Sequence, residues 1–299
     1  MKVVLALGGN ALLKRGEPFD MQQQRANLEC AAGGIAAIAR NHSLALTHGN
    51  GPQVGMLAVQ ANSAGFAATP MDILDAESEG MIGYLIEQTI GNRLPGRQVV
   101  TLLTQVEVSR DDPAFEAPAK PIGPRYSREQ AQLLARTRGW RLAAQGGEWR
   151  RVMPSPEPRR IIELAAIRLL LEAGAVVVCV GGGGIPVERL PSGAIRGVEA
   201  VIDKDLAASL LAREIGADAL LLLTDVDAVY LDWGTPRAKA LGAVKPAQLR
   251  KQKFEPGTMA PKVEAACRFV EARPGVAAIG RLEDAVGILE GRLGTQVRS

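Results

Sequence analysis

Short aliphatic runs alternate along the chain with longer segments of helical period. Residues 2–7, 43–47, 175–180 and 219–223 are apolar and rich in branched side chains, which predicts buried strands, and residues 97–108 are expected to supply another. Apolar positions recur at helical spacing over 22–40, 52–65, 71–91, 161–173, 206–215 and 263–271, with a shorter helix at 246–253. Strands that alternate with helices predict an α/β fold around a parallel sheet. The pattern fails between Ser109 and Pro158, a stretch with seven prolines and a short helix near 128–136. Irregular chain of that length inside a globular protein is a lid or disorder, and Trp140 and Trp149 within it favour a folded lid.

Glycine-marked turns follow the predicted strands. Gly8-Gly9-Asn10 follows the first, His48-Gly49-Asn50-Gly51-Pro52 the second and four glycines at 181–184 the third, while a polar tip without glycine, Thr224-Asp225-Val226-Asp227, follows the fourth. Ligands of parallel α/β sheets bind beyond the carboxyl ends of strands, so these turns are expected to converge. The run 181–184 is expected to let the backbone approach an anion and to leave its N–H groups free to bind it. It is not a dinucleotide fingerprint, which needs a third glycine where Pro186 or Val187 stands, and the chain has no Gly-Lys pair for a Walker loop.

Charge sharpens this picture. Asp203-Lys204-Asp205 opens one helix, and Lys262 falls in the first turn of another, where a bare cation opposes the helix dipole by up to ~1 kcal/mol unless an anion intervenes. The chain uses 26 arginines and only nine lysines, so Lys120, Lys204 and Lys262, each beside a glycine- or proline-marked turn, stand out. Lysine is a compact point charge suited to a moving phosphoryl group. Residues 125–160 carry nine arginines against three glutamates, although the net charge of the chain is only +3. That local basicity fits either an anionic small molecule or a solvated face.

At 299 residues and 47% hydrophobic, the chain is long enough for one large α/β domain or two lobes. Aromatics make up 4%, too few for a base-stacking surface, so nucleic acid is not an expected partner. Cys30, Cys179 and Cys267 lack metal spacing and read as reduced thiols of a cytoplasmic protein. Gly8-Gly9-Asn10 interrupts the apolar amino-terminal run before it can act as a signal peptide, and no segment reaches transmembrane length.

The segments VVLALGGNALLKRGEP, THGNGPQVG, AESEGMIGYLIEQ, KPIGP, RRVMPSPEP, VVVCVGGGGIPV, GVEAVIDKDLAASLLA, LLTDVDAVY and PGTMAPKVEAA together resemble the carbamate kinases of the amino acid kinase superfamily, almost end to end. KPIGP and VIDKDLA are far more specific than any glycine run. The resemblance implies a three-layer αβα sandwich with an open, mainly parallel central sheet and a small protruding lid subdomain. Residues 1–190 would form the acceptor lobe, with the lid 109–158 inserted, and 191–299 the nucleotide lobe. It implies reversible transfer between ATP plus carbamate and ADP plus carbamoyl phosphate, run toward ATP formation in arginine catabolism, with Mg2+ carried by the nucleotide and a homodimeric assembly. Carried onto this chain, Gly8, Gly9, Asn10, Gly49, Asn50 and Gly51 would hold the acceptor. Thr224, Asp225, Val226, Tyr230, Met259 and Lys262 would face the nucleotide, and the catalytic set would be Lys120, Lys204, Asp205 and Lys262. Two departures, Thr258 and Ala260 in place of serine and glycine, bear on the fit of the nucleotide phosphates. The competing readings are another kinase of the superfamily, acting on a carboxylate or phosphate, and a non-catalytic sensor on the same scaffold.

Overall fold

Alternate residues of the central strands face opposite ways. In the strand Lys2–Leu7, Val4 and Ala6 join one buried cluster and Val3, Leu5 and Leu7 another; in Ala219–Thr224, Leu220 and Leu222 join the first and Leu221 and Leu223 the second. A period of two with both faces apolar is the pattern of a sheet covered on both sides. Helices Leu164–Glu172, Lys204–Glu214 and Met259–Ala272 cover one face, and Met21–Asn41, Met71–Gly91 and Ala285–Leu289 the other. This computed structural model describes all residues except 10, 11, 14–16, 18, 64–68 and 256, together with the side chains of 62 and 63.

The main sheet has eight strands among the described residues, in the order 243–244, 295–297, 276–281, 219–224, 2–7, 43–48, 176–178, 99–101. The strand pairs from Val276–Arg281 across to Val99–Thr101 are all parallel, whereas Thr295–Val297 runs antiparallel to Val276–Arg281. The architecture is thus the expected αβα sandwich with a mainly parallel sheet. Its first strand lies between Ala219–Thr224 and Ser43–His48, so the turns after all three open on the same edge.

Two sequence expectations need correction. Residues 97–108 are not one strand: Val99–Thr101 closes the main sheet, and Gln105–Glu107 enters a second, four-stranded sheet with Ile185–Arg189, Ile195–Gly197 and Arg160–Ile161. The chain changes sheets at Thr104, whose hydroxyl donates to Leu102 O at 2.8 Å and accepts from Val180 N–H at 3.0 Å. The expected strand 175–180 is ladder-paired only over Val176–Val178, because Val180 turns left-handed (φ 54°) to enter the glycine run.

The segment 109–158 is folded. Strands Lys120–Tyr126, Glu148–Met153 and Leu142–Gln145 form a three-stranded sheet. Helix Arg128–Arg138 is fixed at its start by a Ser127/Gln130 capping box and at its end by Gly139 at φ 65°. A separate apolar cluster at its base joins Ile122 and Met153 to Val54, Ala58, Met71, Leu74 and Val201. No helix among the described residues is long and apolar enough to cross a membrane.

Candidate active site

The glycine turns meet as the strand pattern predicts. Gly8 N–H donates to Leu223 O at 3.0 Å and Gly49 N–H to Leu7 O at 3.1 Å, which locks the first two turns to the neighbouring strand ends. A Cβ on Gly49 would lie 3.1 Å from Gly9 N and 3.5 Å from Lys204 Cε, so only a residue without a side chain lets the two turns and the lysine come together. Gly51 opens the helix Gly51–Ser63, leaving the positive end of a helix beside Gly9 and Lys204. Asn10 lies outside the described residues.

Three of the four proposed catalytic residues are joined through one carboxylate. Asp205 is buried and accepts Lys204 Nζ on Oδ1 at 2.6 Å and Lys262 Nζ on Oδ2 at 2.9 Å. Burial alone would raise the Asp205 carboxyl, but the two ammonium groups outweigh it and hold that group well below the usual carboxylate range. On Lys262, burial is overcome by Asp205, Asp203 and Asp225, and the ammonium form is favoured beyond its ordinary range. Lys204 is lowered by burial and by Lys262, against the pull of Asp205. Asp205 is therefore the anion that permits Lys262 to sit in the first turn of Met259–Ala272.

The fourth, Lys120, arrives from the lid and pairs with Asp203 Oδ2. The other oxygen of Asp203 caps helix Lys204–Glu214, accepting from Asp205 N–H at 2.9 Å and Leu206 N–H at 3.2 Å. One side chain thus ties the lid to the helix that carries Lys204 and Asp205. From the sequence Asp203 is one of two carboxylates at a charged helix start, without a catalytic role of its own; its place as N-cap, paired with Lys120, is what gives it one.

The run Gly181–Gly183 does not serve as expected. Gly183 N–H donates to Val180 O at 3.2 Å and Gly184 N–H to Gly181 O at 2.8 Å, so these two donors are spent inside the protein. What requires glycine is packing: added Cβ atoms would come within 2.3 Å of His48 Nε2 at position 181, 2.2 Å of Asn50 Nδ2 at 182 and 2.5 Å of Ile202 O at 183. Asn50 is equally committed, since its amide donates to Asp75 Oδ1 at 3.0 Å and Ser78 Oγ at 2.9 Å. His48 is buried, and burial, helped by Lys204, lowers it to about 4, so it stays neutral.

Thr224 lies against Gly8, with its hydroxyl donating to Asp225 Oδ1 at 3.1 Å. Val226 is half-buried in the same turn. The Tyr230 hydroxyl donates to Asp227, and the ring packs on Trp233 with centroids 4.9 Å apart. Met259, the first residue of Lys262's helix, packs on the core. Ala260 donates its N–H to Glu255 O at 3.1 Å, and the Thr258 hydroxyl donates to Glu255 Oε2 at 3.1 Å.

Comparison with known proteins agrees with this geometry. The amino acid kinase family model matches residues 1–277. The chain is 52% identical to a carbamate kinase of Rhizobium meliloti, covering 100% of this chain and 94% of that protein, and 48% identical to one of Haemophilus influenzae, over 99% and 96%. The structure of a carbamate kinase from Giardia lamblia bound to AMP-PNP superposes with a TM-score of 0.91 at 39% identity, covering 99% of this chain and 98% of that one.

Proposed function

This chain belongs to the amino acid kinase family and is a carbamate kinase among its members, and on that premise we propose how its residues divide the work of moving a phosphoryl group between ATP and carbamate. The observation that carries the proposal is the convergence of Lys204, Lys262 and, through Asp203, Lys120 on one helix start beside Gly9 and Gly49.

Phosphoryl transfer spreads charge over three equatorial oxygens, and a protein contributes chiefly position and electrostatics. Three ammonium groups converge here, and their pairing with Asp203 and Asp205 fixes the lysines before any ligand binds, so little reorganisation is needed in the transition state. Lys204 and Lys262 stabilise the transferred group, Asp205 orients them, and Lys120 reaches it from the lid. Carbamate is already an anion, so no general base is needed, in keeping with a buried and neutral His48. Gly8, Gly9, Asn10 and the start of helix Gly51–Ser63, with Gly49 and Asn50, hold the acceptor. The nucleotide lies along Thr224, Asp225, Val226, Tyr230 and Met259, and that a nucleotide analogue, AMP-PNP, is bound by the Giardia relative supports a nucleotide as one of the two ligands. Magnesium enters as part of the nucleotide, since Asp203 and Asp205 are engaged by Lys120, Lys204 and Lys262.

Residues 1–190, with the lid 109–158, serve the acceptor and 191–299 the nucleotide. The protein works toward ATP formation in the cytoplasm, where free Cys30, Cys179 and Cys267 stay reduced. It pairs as a homodimer through the outer face of helix Met71–Gly91, on which Ile73 and Tyr84 are 47% and 54% exposed. The test is a coupled assay of ATP formation from carbamoyl phosphate and MgADP. Turnover is expected from the wild-type protein, with kcat falling by ~10²-fold or more in Lys262→Ala. Binding of carbamoyl phosphate and MgADP without turnover would favour a sensor, and turnover only with another acyl or nucleoside phosphate would favour a different kinase.

A further inference from the structure

Helix Met71–Gly91 packs on the sheet with apolar residues, yet at its centre Asp75, Ser78 and Glu79 are 3%, 0% and 1% exposed. Positions 75 and 79 are one helical turn apart and share a face. Each acid secures a different part of the acceptor side. Asp75, with Ser78, takes both amide hydrogens of Asn50. Glu79 accepts Thr104 N–H on Oε2 at 2.9 Å and packs on Gly181, where an added Cβ would lie 3.0 Å from its Cγ, so it braces the residue where the chain changes sheets and the first glycine of the run.

Among the described residues neither acid has an ion-pair partner, and Asp75 Oδ2 and Glu79 Oε1 are buried without a hydrogen bond. The surroundings offer no compensating cation. Asp72 and Glu199 face Asp75, with Arg151 beyond at 3.9 Å from Glu199; Glu79 faces Asp75, Glu163, the Cys179 thiol and, across Gly181, neutral His48. A buried carboxylate with no cation is far costlier than a buried carboxylic acid. Burial and these like charges raise both groups well above the ordinary range, against the hydrogen bonds from Asn50 and Thr104.

We propose that Asp75 and Glu79 are positioning residues of the acceptor site, a pair of uncharged carboxyl groups that fix the Asn50 amide and the Gly181 turn without placing negative charge behind an anionic acceptor. The inference rests on the reading of this side as the carbamate and carbamoyl phosphate site. Neutral acids can hold the loops and leave the field of Lys204 and Lys262 intact, whereas ionised ones would hold the same loops and repel the acceptor. Alkaline pH should therefore weaken acceptor binding and spare nucleotide binding.

The test measures KM for carbamoyl phosphate and for MgADP from pH 6 to 9 in wild-type protein, Glu79→Gln, Glu79→Leu and Asp75→Asn. For Glu79→Leu, KM for carbamoyl phosphate is expected to rise about tenfold or more at pH 7, with KM for MgADP within about twofold, because the Thr104 N–H loses its acceptor and the Gly181 turn its support. Glu79→Gln, which keeps an acceptor, is expected to rise by about threefold and, like Asp75→Asn, to flatten the alkaline increase in KM. Equal changes in both KM values, or an alkaline increase unchanged in Glu79→Gln and Asp75→Asn, would overturn the inference. Infrared spectroscopy supplies a readout independent of turnover: wild-type protein at pH 7 should show protonated-carboxyl bands that are diminished in each amide variant. Failure of wild-type protein to make ATP overturns the reading of the site, while missing bands in an active enzyme overturn this inference alone.

Discussion

Two ammonium groups share one buried carboxylate at Asp205, and stability and catalysis are coupled there. A carboxyl whose folded pKa is depressed contributes stability that is present above its unfolded value, about 4, and is lost as pH falls through the folded value. Asp205→Asn should therefore lower stability by about 3–5 kcal/mol at pH 7, the usual effect of breaking a buried pair. The gap to wild-type protein should narrow below about pH 4, as thermal melts at pH 7 and pH 3 would show. A gap that stayed constant would mean that the carboxylate's charge is not what stabilises the fold. Asp203 separates its two duties more cleanly. Asparagine also caps helices, so Asp203→Asn should keep the melting temperature while Asp203→Ala loses about 1 kcal/mol. Both should cut kcat about tenfold, and neither effect should add fully to that of Lys120→Ala, since all three remove one interaction. Full additivity in that cycle would show that Lys120 and Asp203 act independently.

At the scale of elements, the lid is seated by backbone contact. A Cβ on Gly55, in helix Gly51–Ser63, would lie 2.0 Å from Gly123 Cα and 2.3 Å from Gly123 N in the lid strand Lys120–Tyr126. Gly123 is itself left-handed at φ 67° and its carbonyl accepts two hydrogen bonds from Arg150, so the strand has little freedom to yield. Gly55→Ala should displace Lys120 and lower kcat about tenfold, with the dissociation constant of MgADP within about twofold. Amide hydrogen exchange over 120–126 should accelerate in the variant, and in wild-type protein this segment should already exchange faster than the central strands, because only a small apolar cluster anchors it. Protection equal to that of strand Lys2–Leu7 in both proteins would show that the lid does not open as a unit.

For the whole molecule, the division at 190/191 is one of labour along a continuous sheet. Lys2–Leu7 from the acceptor half pairs along its length with Ala219–Thr224 from the nucleotide half, and both apolar clusters draw residues from the two halves. Strands that share every ladder bond cannot unfold separately without exposing those groups to solvent. Calorimetry should therefore show one main transition for 1–190 and 191–299 together, with any earlier event confined to the lid. Two well-separated main transitions would mean that the halves are independent folding units.

The sequence by itself determined the layers, the strands at 2–7, 43–48, 176–178 and 219–224 and the turns at their carboxyl ends, because a period of two or 3.6 in apolar residues is a local property, whereas strands 243–244, 276–281 and 295–297 of the same sheet emerged only in the fold. It also placed Lys204, Asp205 and Lys262, since a charge at a helix start is visible in the chain. Only the tertiary structure decided which neighbour each group meets. The four glycines at 181–184 serve packing on His48, Asn50 and Ile202, and sequence cannot separate that need from ligand approach because both require the same missing Cβ. Residues 97–108 read as one strand because both pieces are apolar, although they end in different sheets. Asp75 and Glu79 look like polar residues of an amphipathic helix until the fold buries them against loops 25 and more positions away. Asp203 joins Lys120 across 83 residues, a pairing that no local pattern encodes because it depends on where the lid lands.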